Sequence, residues 1–276
     1  QIESARARLG LDKPLPVQYG IFIRDVLHGN FGKSYIYGKP AMDLIFERMP
    51  ATLELVAVAA CLVLCIAIPL GVYAGAYPKR ASSKLIMSGS ILGISLPSFW
   101  VGMMMIYIFA VVLRLLPASG RGNTVMVGNV ALSIFAPGGI RYVILPAITL
   151  ALTNVATMLR LTRSGILENM RQDYIKFARA KGVPAKSILF GHALKNALIP
   201  VVTIFGMDLG NMIAFTTITE TIFAWPGMGK LLIDAINKSD RPIIVAYLMA
   251  AACMFVVLNF IVDILYTLID PRIELR

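Results

Sequence analysis

Three carboxylates, Asp208, Glu220 and Asp263, interrupt or border long apolar stretches of this sequence. A carboxylate in such a setting could act as a nucleophile or a general base. An enzyme built into a membrane would also need a His-Glu-x-x-His metal motif or a Gly-x-Ser-x-Gly nucleophile turn. The sequence contains neither motif, and its two histidines, His28 and His192, are too few for a His-rich metal site. We therefore predict no catalytic residue, no metal ligand set and no cofactor bound by this chain.

A nucleotide-binding motif is also absent from the sequence. A P-loop needs glycines followed by a lysine and a hydroxyl residue at fixed spacing. Gly229-Lys230 is followed by Leu231 and lacks the earlier glycine. The sequence therefore predicts no ATP-binding site within this chain.

The composition predicts that helices in a membrane position these residues. Of the 276 residues, 58% are hydrophobic and 15% are charged, and the mean hydropathy is +0.75. Four uncharged stretches each approach or exceed the ~20 residues that cross a bilayer as a helix, and a fifth is interrupted by Asp208 alone. The five stretches are 55–78, 85–113, 142–159, 242–262 and 196–219. We predict an all-α polytopic membrane protein with five transmembrane helices in this chain.

The charges between these spans predict the orientation of the chain. Lys79, Arg80 and Lys84 lie between the first two spans without an acidic residue, and residues 163–195 are strongly basic. Both loops are cytoplasmic by the positive-inside rule. The net charge of +11 therefore indicates orientation in a bilayer and not nucleic-acid binding, because the basic residues flank apolar spans.

The same alternation places residues 1–50 outside the membrane as a small extracytoplasmic segment, before a transmembrane domain at 51–276. The outer segment has no cleavable-looking signal and no apolar run that could export it. We therefore expect a preceding transmembrane helix in the natural protein, which would then have six spans. Insertion of a mature chain with its N-terminus outside is the alternative.

Asp208 and Asn211 lie three residues apart in the fourth span and occupy neighbouring positions on one helical face. An ionised aspartate at this depth is costly unless it faces water or a partner. We therefore predict that both residues line a polar path through the membrane. In the alternative, Asp208 is neutral or paired and holds Asn154 or a helix of a partner subunit.

The cytoplasmic segment 163–195 is too long and too patterned for a simple connector. Its alanine-containing first part predicts a helix, Gly182 and Pro184 predict a sharp break, and a second short helix follows. On this second helix we expect Ile188 and Leu189 to be exposed to a partner. A basic amphipathic helix that rests on anionic lipid is the alternative.

Five segments of the sequence carry a family resemblance, which is most specific in the first two. They are Asp173 to Gly182 (DYIKFARAKG), His192 to Thr203 (HALKNALIPVVT), Thr219 to Gly229 (TETIFAWPGMG), Leu11 to Tyr19 (LDKPLPVQY) and Asp270 to Arg272 (DPR). With these segments the chain resembles the membrane subunits of ATP-binding-cassette (ABC) importers, specifically the dipeptide and oligopeptide permease group. The resemblance implies the type I permease fold, with a cytoplasmic coupling loop at 163–195 and an outer re-entrant segment at 220–241.

The resemblance also implies roles for individual residues. Coupling to ATPase subunits is implied for Ala178, Ala180, Gly182, Pro184, Ile188, Leu189 and His192, and the outer re-entrant segment contains Glu220, Trp225, Pro226, Gly227 and Gly229. Two positions depart from the pattern. The wider importer family begins its coupling loop with a glutamate and two alanines, where this chain has Lys176, Phe177 and Ala178, so a salt bridge from that glutamate is not expected. Asp208 stands where relatives usually carry glutamine.

As a member of this group, the chain would be a permease subunit of the bacterial cytoplasmic (inner) membrane that forms a path for di- and oligopeptides. Its partners would be a second homologous permease, two ATP-binding subunits or domains, an extracytoplasmic solute-binding protein and the lipid bilayer. Glutathione, nickel chelates or opine-like compounds are alternative substrates within the group. A secondary transporter that does not use ATP is an alternative from another class of protein. Acidic residues within spans favour it, but the coupling loop argues against it.

Overall fold

Backbone polar groups inside a bilayer must be satisfied within the protein, and helices achieve this within one segment. The computed structural model describes residues 13–269 and is mostly helical. The helices are α1 (Leu15–Leu27), α2 (Ala41–Ala76), α3 (Ala81–Ser95), α4 (Ser98–Val112), α5 (Ile140–Asn169), α6 (Asp173–Ala180), α7 (Ala185–Ile222), α8 (Met228–Asn237) and α9 (Arg241–Ile269). Of the motif residues above, Leu11, Asp12, residues 270–272 and the side chain of Asp263 lie outside the described part of the chain.

Four of these helices, α2, α5, α7 and α9, are long and apolar enough to cross a membrane. The stretch 85–113, predicted as one span, is broken into α3 and α4, which meet at an angle of 106°. The break lies at Pro97, because proline disfavours helical backbone in the preceding residue, and Leu96 is extended with φ −89° and ψ 131°. The described chain therefore has four spans, or five if the bent pair is one span, and the predicted all-α membrane fold is confirmed.

The predicted boundary at residue 50 falls inside a continuous helix. Helix α2 begins at Ala41, directly after Pro40, and includes Pro50 and Pro69. The outer segment before it contains α1. This segment is fastened to the connection between α8 and α9, because Ser34 Oγ donates a hydrogen bond to the buried Asp240 carboxylate at 2.6 Å.

Helices α2 and α5 pack against each other along much of their length. At Gly71, a Cβ atom would lie 2.6 Å from Cβ of Thr162, so a larger residue there would force the helices apart. Small residues permit this kind of close backbone approach in membranes, where packing replaces the hydrophobic effect as the driving force. The central apolar core extends from this contact to α7 and includes Leu55, Met158 and Trp225.

The region 122–140, which lies between the second and third predicted spans, contains the only strands of the described residues. β1 (Val125–Val127) and β2 (Val130–Leu132) form a short antiparallel hairpin in which Val125 is opposite Leu132. Gly128 lies in the turn between them with φ 62°, which glycine adopts without steric cost.

Candidate functional site

A cavity of about 320 Å³ lies between α5, α7 and the start of α4. Its lining is rich in polar side chains: Ser98, Thr149, Thr153, Asn154, Thr157, Asp208, Asn211 and Thr219, together with Leu150, Met212 and Phe215. The three threonines of α5 follow one another at four-residue spacing and so share one helical face. Asp208 lies at the middle of the apolar stretch 196–219, which places the cavity near the centre of the span.

The structure brings Asp208 and Asn211 to this cavity together, as their spacing predicted. Asn211 is exposed and Asp208 is half-buried, and both side chains line the cavity. Asn154 lines the same cavity, but its amide donates to the backbone oxygen of Leu150 at 3.3 Å. Among the described residues no hydrogen bond joins Asn154 to Asp208, so a helix of a partner subunit is what the structural alternative for Asp208 would now require.

A second polar site lies at the outer end of α7, where Glu220 is fully buried. Thr52 Oγ1 donates to Glu220 Oε1 at 2.6 Å, and the backbone N–H of Lys230 donates to Glu220 Oε2 at 2.9 Å. The backbone N–H of Met228 donates to Thr52 Oγ1 at 2.8 Å. The first N–H groups of a helix have no partner within the helix, and the N-terminus favours negative charge. Glu220 and Thr52 therefore cap α8 and join α2, α7 and α8 at one point.

The turn between α7 and α8 explains the other residues of the predicted outer segment. Trp225 is fully buried, and its indole N–H donates to the backbone oxygen of Ala51 at 2.9 Å. A Cβ atom at Gly227 would collide with the Glu220 carboxylate, and one at Gly229 would lie 2.5 Å from Cα of Thr217. Pro226 is half-buried between them. These residues form a rigid corner that holds α8 against the ends of two spans.

Glu54 is a residue of the outer site that sequence reasoning missed. Its buried carboxylate is paired with Arg121, whose Nε donates at 2.9 Å, and it also accepts from the backbone N–H groups of Ser133 and Ile134 at 2.7 and 2.6 Å. The pair ties the hairpin region to α2. The available signal was that Arg121 is the only charge in the otherwise neutral segment 119–140 and Glu54 the only acid at the outer end of the first apolar stretch.

At the cytoplasmic end, the predicted break after α6 is present. Gly182 has φ 78°, a left-handed conformation that glycine adopts readily. The N–H of Gly182 donates to Arg179 O at 3.0 Å and the N–H of Val183 to Ala178 O at 3.1 Å. These two bonds are the Schellman motif, which ends α6 and satisfies its last carbonyl groups. Within α6, Lys176 pairs with Asp173 at 2.8 Å. This ion pair holds the pKa of the exposed Asp173 carboxyl below its usual value.

The expected exposure of Ile188 and Leu189 was wrong. Ile188 is 1% exposed and packs with Val72, Ile166 and Ile175, and Leu189 is partly buried against the same cluster. The second helix is also not separate, because α7 runs without interruption from Ala185 to Ile222 through a π-helical segment at Ile188–Ala193. The apolar side chains that were expected to meet a partner are covered by the chain itself.

Other side chains of the cytoplasmic region are exposed. Phe177 is 63% exposed on α6 and Phe190 is 52% exposed on α7. Of the predicted coupling residues, Ala180, Gly182, Pro184 and His192 are exposed and Ala178 is half-buried. Two aromatic rings among basic residues thus form an exposed surface on α6 and the start of α7, which we call the cytoplasmic face.

Comparisons with known proteins agree with this geometry. Residues 67–275 match the family described as binding-protein-dependent transport system inner membrane component. The chain is 38% identical to the probable D,D-dipeptide transport system permease protein DdpB of Escherichia coli (strain K12), over 99% of this chain and 84% of that protein. It is 40% identical to the oligopeptide transport system permease protein AppB of Bacillus subtilis (strain 168), over 97% and 83% of the two chains.

Solved structures show the same fold. An inward-facing structure of the MetNI methionine ABC transporter aligns with a TM-score of 0.63 and 16% identity, over 83% of this chain and 97% of that chain. The crystal structure of an amino acid ABC transporter with histidines aligns with a TM-score of 0.53 and 14% identity, over 84% and 94%. Together with the family match and the apolar spans, these findings show that the chain belongs to the inner-membrane components of binding-protein-dependent transport systems, as a multi-pass permease subunit.

Proposed function

We propose that this chain forms one half of a path by which short peptides cross the inner membrane, and that ATP hydrolysis in partner subunits drives their transport. The peptide substrate class is supported by the relatives, whose names describe dipeptide, di/tripeptide and oligopeptide transport at 38 to 40% identity over nearly the whole chain. The path itself is supported by the polar side chains around Asp208.

The observation that carries the proposal is a polar helical surface at membrane depth. Thr153, Thr157 and Asn211 are exposed in the isolated chain, and Asp208 is half-buried beside them. Such groups cannot face hydrocarbon without a large penalty, so in membranes they face the bundle interior or a water-filled cavity. A second, homologous permease placed against α5 and α7 would cover this surface and complete an aqueous path.

The cytoplasmic face is the surface we propose for docking to an ATP-binding subunit, which would hold ATP and Mg. Phe177 and Phe190 offer exposed apolar area, and Lys186 and His192 lie near them in sequence and are exposed. Exposed aromatic residues of this kind mark interaction sites. The internal cluster around Ile188 has a different role, since it fixes α6 to α5 and α7 so that force on the cytoplasmic face reaches the spans.

On the outer side, a solute-binding protein would deliver peptide to the path. The corner at Glu220 and the pair of Glu54 with Arg121 hold α8 and the hairpin region to the ends of the spans. Both are built from buried, fully hydrogen-bonded carboxylates. They would give the outer end of the path a rigid frame to which the binding protein can dock.

Reconstitution tests the proposed function. The permease, co-purified with its partner subunits, is placed in liposomes with the binding protein on one side and ATP on the other, and uptake of radiolabelled trialanine is measured. We expect uptake that requires both the binding protein and hydrolysable ATP. Uptake that persists with a non-hydrolysable ATP analogue, or no uptake of any di- to pentapeptide by an assembled complex, would contradict the proposal.

Docking is tested separately by substitution on the cytoplasmic face. Phe177→Ala and Phe190→Ala should lower the amount of ATP-binding subunit that co-purifies with the permease, while the permease itself stays as stable as wild type because both rings are exposed. Phe135→Ala is the matched control, since this equally exposed ring lies in the outer loop. Equal loss of the subunit from the control, or none from either cytoplasmic variant, would place the docking surface elsewhere.

A further inference from the structure

The wall of the cavity around Asp208 carries more hydrogen-bond acceptors than donors. Thr149 Oγ1 donates to the backbone oxygen of Leu145 at 2.9 Å, and Thr157 Oγ1 donates to that of Thr153 at 3.2 Å. A hydroxyl group has one proton and two lone pairs. Because both protons are used within α5, the two hydroxyl oxygens can only accept hydrogen bonds from a molecule in the cavity.

The amide side chains reinforce this imbalance. Asn154 uses one of its N–H groups on the backbone oxygen of Leu150, and Asn211 lies near Asp208 on the same helix. Their carbonyl oxygens are further acceptors, and an ionised carboxylate accepts only. Among the described residues that line the cavity, Asp208 alone is ionisable. The hydroxyl groups of Ser98, Thr153 and Thr219 and the remaining N–H groups of the amides can donate, but the acceptor oxygens outnumber them. With Asp208 ionised, the wall carries a negative charge, and none of the described lining residues is a cation.

The geometry points to Asp208 as the site that recognises the free N-terminal ammonium group of a peptide in transit, an inference that rests on the proposed function. An ammonium group has three N–H donors and a positive charge, which match the surplus of acceptor oxygens and the charge of an ionised Asp208 in this wall. Hydrogen bonds between an ammonium and a carboxylate are charge-assisted and stronger than neutral ones. The C-terminal carboxylate of the same peptide would be repelled here, so the cavity also orients the peptide.

The partial exposure of Asp208 suits passage better than tight binding. An ion pair accessible to water is weak, because solvent screens the charges. A weak pair lets the ammonium group bind and leave again, so the site selects the peptide without trapping it. The neutral threonine oxygens of α5 that line the same cavity provide further acceptors along the way. The permease would thus add its own selection for a free amino terminus to the selection made by the binding protein.

The test compares two probes of nearly equal shape in the reconstituted complex. Trialanine carries the ammonium group, and propionyl-dialanine has a hydrogen atom in its place. Asp208→Asn removes the charge and keeps the shape, Asp208→Glu keeps the charge, and Asp234→Asn removes a carboxylate of α8 that does not line the cavity. Since all variants use the same binding protein, a difference between them arises in the permease.

We expect Asp208→Asn to lower the maximal uptake rate of trialanine about ten-fold, from the loss of a charge-assisted hydrogen bond, with Asp208→Glu retaining most of the rate. Uptake of propionyl-dialanine should be unchanged in Asp208→Asn, and Asp234→Asn should behave as wild type with both probes. If the wild-type complex does not transport propionyl-dialanine, the inference is tested by comparing trialanine uptake between Asp208→Asn and Asp208→Glu.

Several results would overturn the inference or the function on which it rests. Trialanine uptake by Asp208→Asn within two-fold of wild type would show that the charge is not used. An equal fall for both probes, or a loss of complex yield, would show a structural role for Asp208. A failure of wild type to carry any peptide would contradict the proposed function itself, and is distinguishable because it does not depend on the substitution.

Discussion

Glu220→Gln tests the buried cap of α8. The glutamate accepts from the Thr52 hydroxyl and from the backbone N–H of Lys230, one bond to each carboxylate oxygen. Glutamine has only one acceptor oxygen, so its NH₂ group must face one of these two donors. Leaving a buried donor unsatisfied costs ~1–3 kcal/mol, and the remaining bond loses its charge assistance. Relief from burying a charge offsets part of this, so we expect a net loss of about 2 kcal/mol in stability.

The measurement is heat-induced aggregation of the detergent-purified complex, and we expect the midpoint to fall by several degrees. Thr52→Val should have a similar effect, because it leaves both Glu220 Oε1 and the N–H of Met228 without a partner. Glu47→Gln is the matched control on α2, since Glu47 is exposed and pairs with Lys39 at the surface. A Glu220→Gln complex as stable as wild type would show that the carboxyl group is protonated and does not act as an anionic cap.

Three further predictions concern other parts of the chain. Gly182→Val should cost about 1–2 kcal/mol of backbone strain. It should cause no steric clash, since no atom lies within 4 Å of the position that a Cβ would occupy. The complex should therefore assemble, while ATP hydrolysis stimulated by the binding protein and peptide uptake fall together. Arg121→Met should destabilise the permease by about 3 kcal/mol because it leaves the buried Glu54 charge without its cation, and the double variant with Glu54→Gln should recover part of this in the same aggregation assay. A single cysteine at Ser239, in a cysteine-free background, should react with an impermeant maleimide added to spheroplasts, and one at Ser187 should not; labelling at Ser187 would contradict the orientation.

Most of the fold follows from the sequence because a bilayer leaves the chain few options. An apolar stretch near 20 residues long must satisfy its own backbone in lipid, so the uncharged runs correspond to helices. The end of α6 could also be predicted from the sequence, because Gly182 and Pro184 act locally on the backbone. The bend of 106° at Pro97 could not be predicted, because a proline allows a break but its neighbours in the fold determine the angle.

The parts of the site that escaped prediction depend on contacts between distant residues. Ile188 has the spacing of an amphipathic face, and such a pattern does not reveal whether a partner or the same chain covers it. Here Val72 and Ile166 cover it, far away in the sequence. Glu54 and Arg121 are 67 residues apart, and their pairing depends on how the hairpin region folds over α2. Asp208 and Asn211, in contrast, are local neighbours on one helix, so their common location was predictable.

The unbroken course of α7 has a mechanical consequence. Its 38 residues give a rod about 57 Å long, at 1.5 Å per residue. The rod is fixed near one end by Glu220, and it carries Asp208 about 18 Å away and Phe190 about 45 Å away along its axis. A tilt of about 10° around the fixed end would move Phe190 by about 8 Å but Asp208 by only about 3 Å. Because the cluster around Ile188 fixes this end of the rod to α2 and α5, such a tilt would carry the cytoplasmic ends of those helices with it. The helix would then act as a reducing lever, which turns a large stroke at the cytoplasmic side into a displacement at mid-membrane comparable to the length of one hydrogen bond.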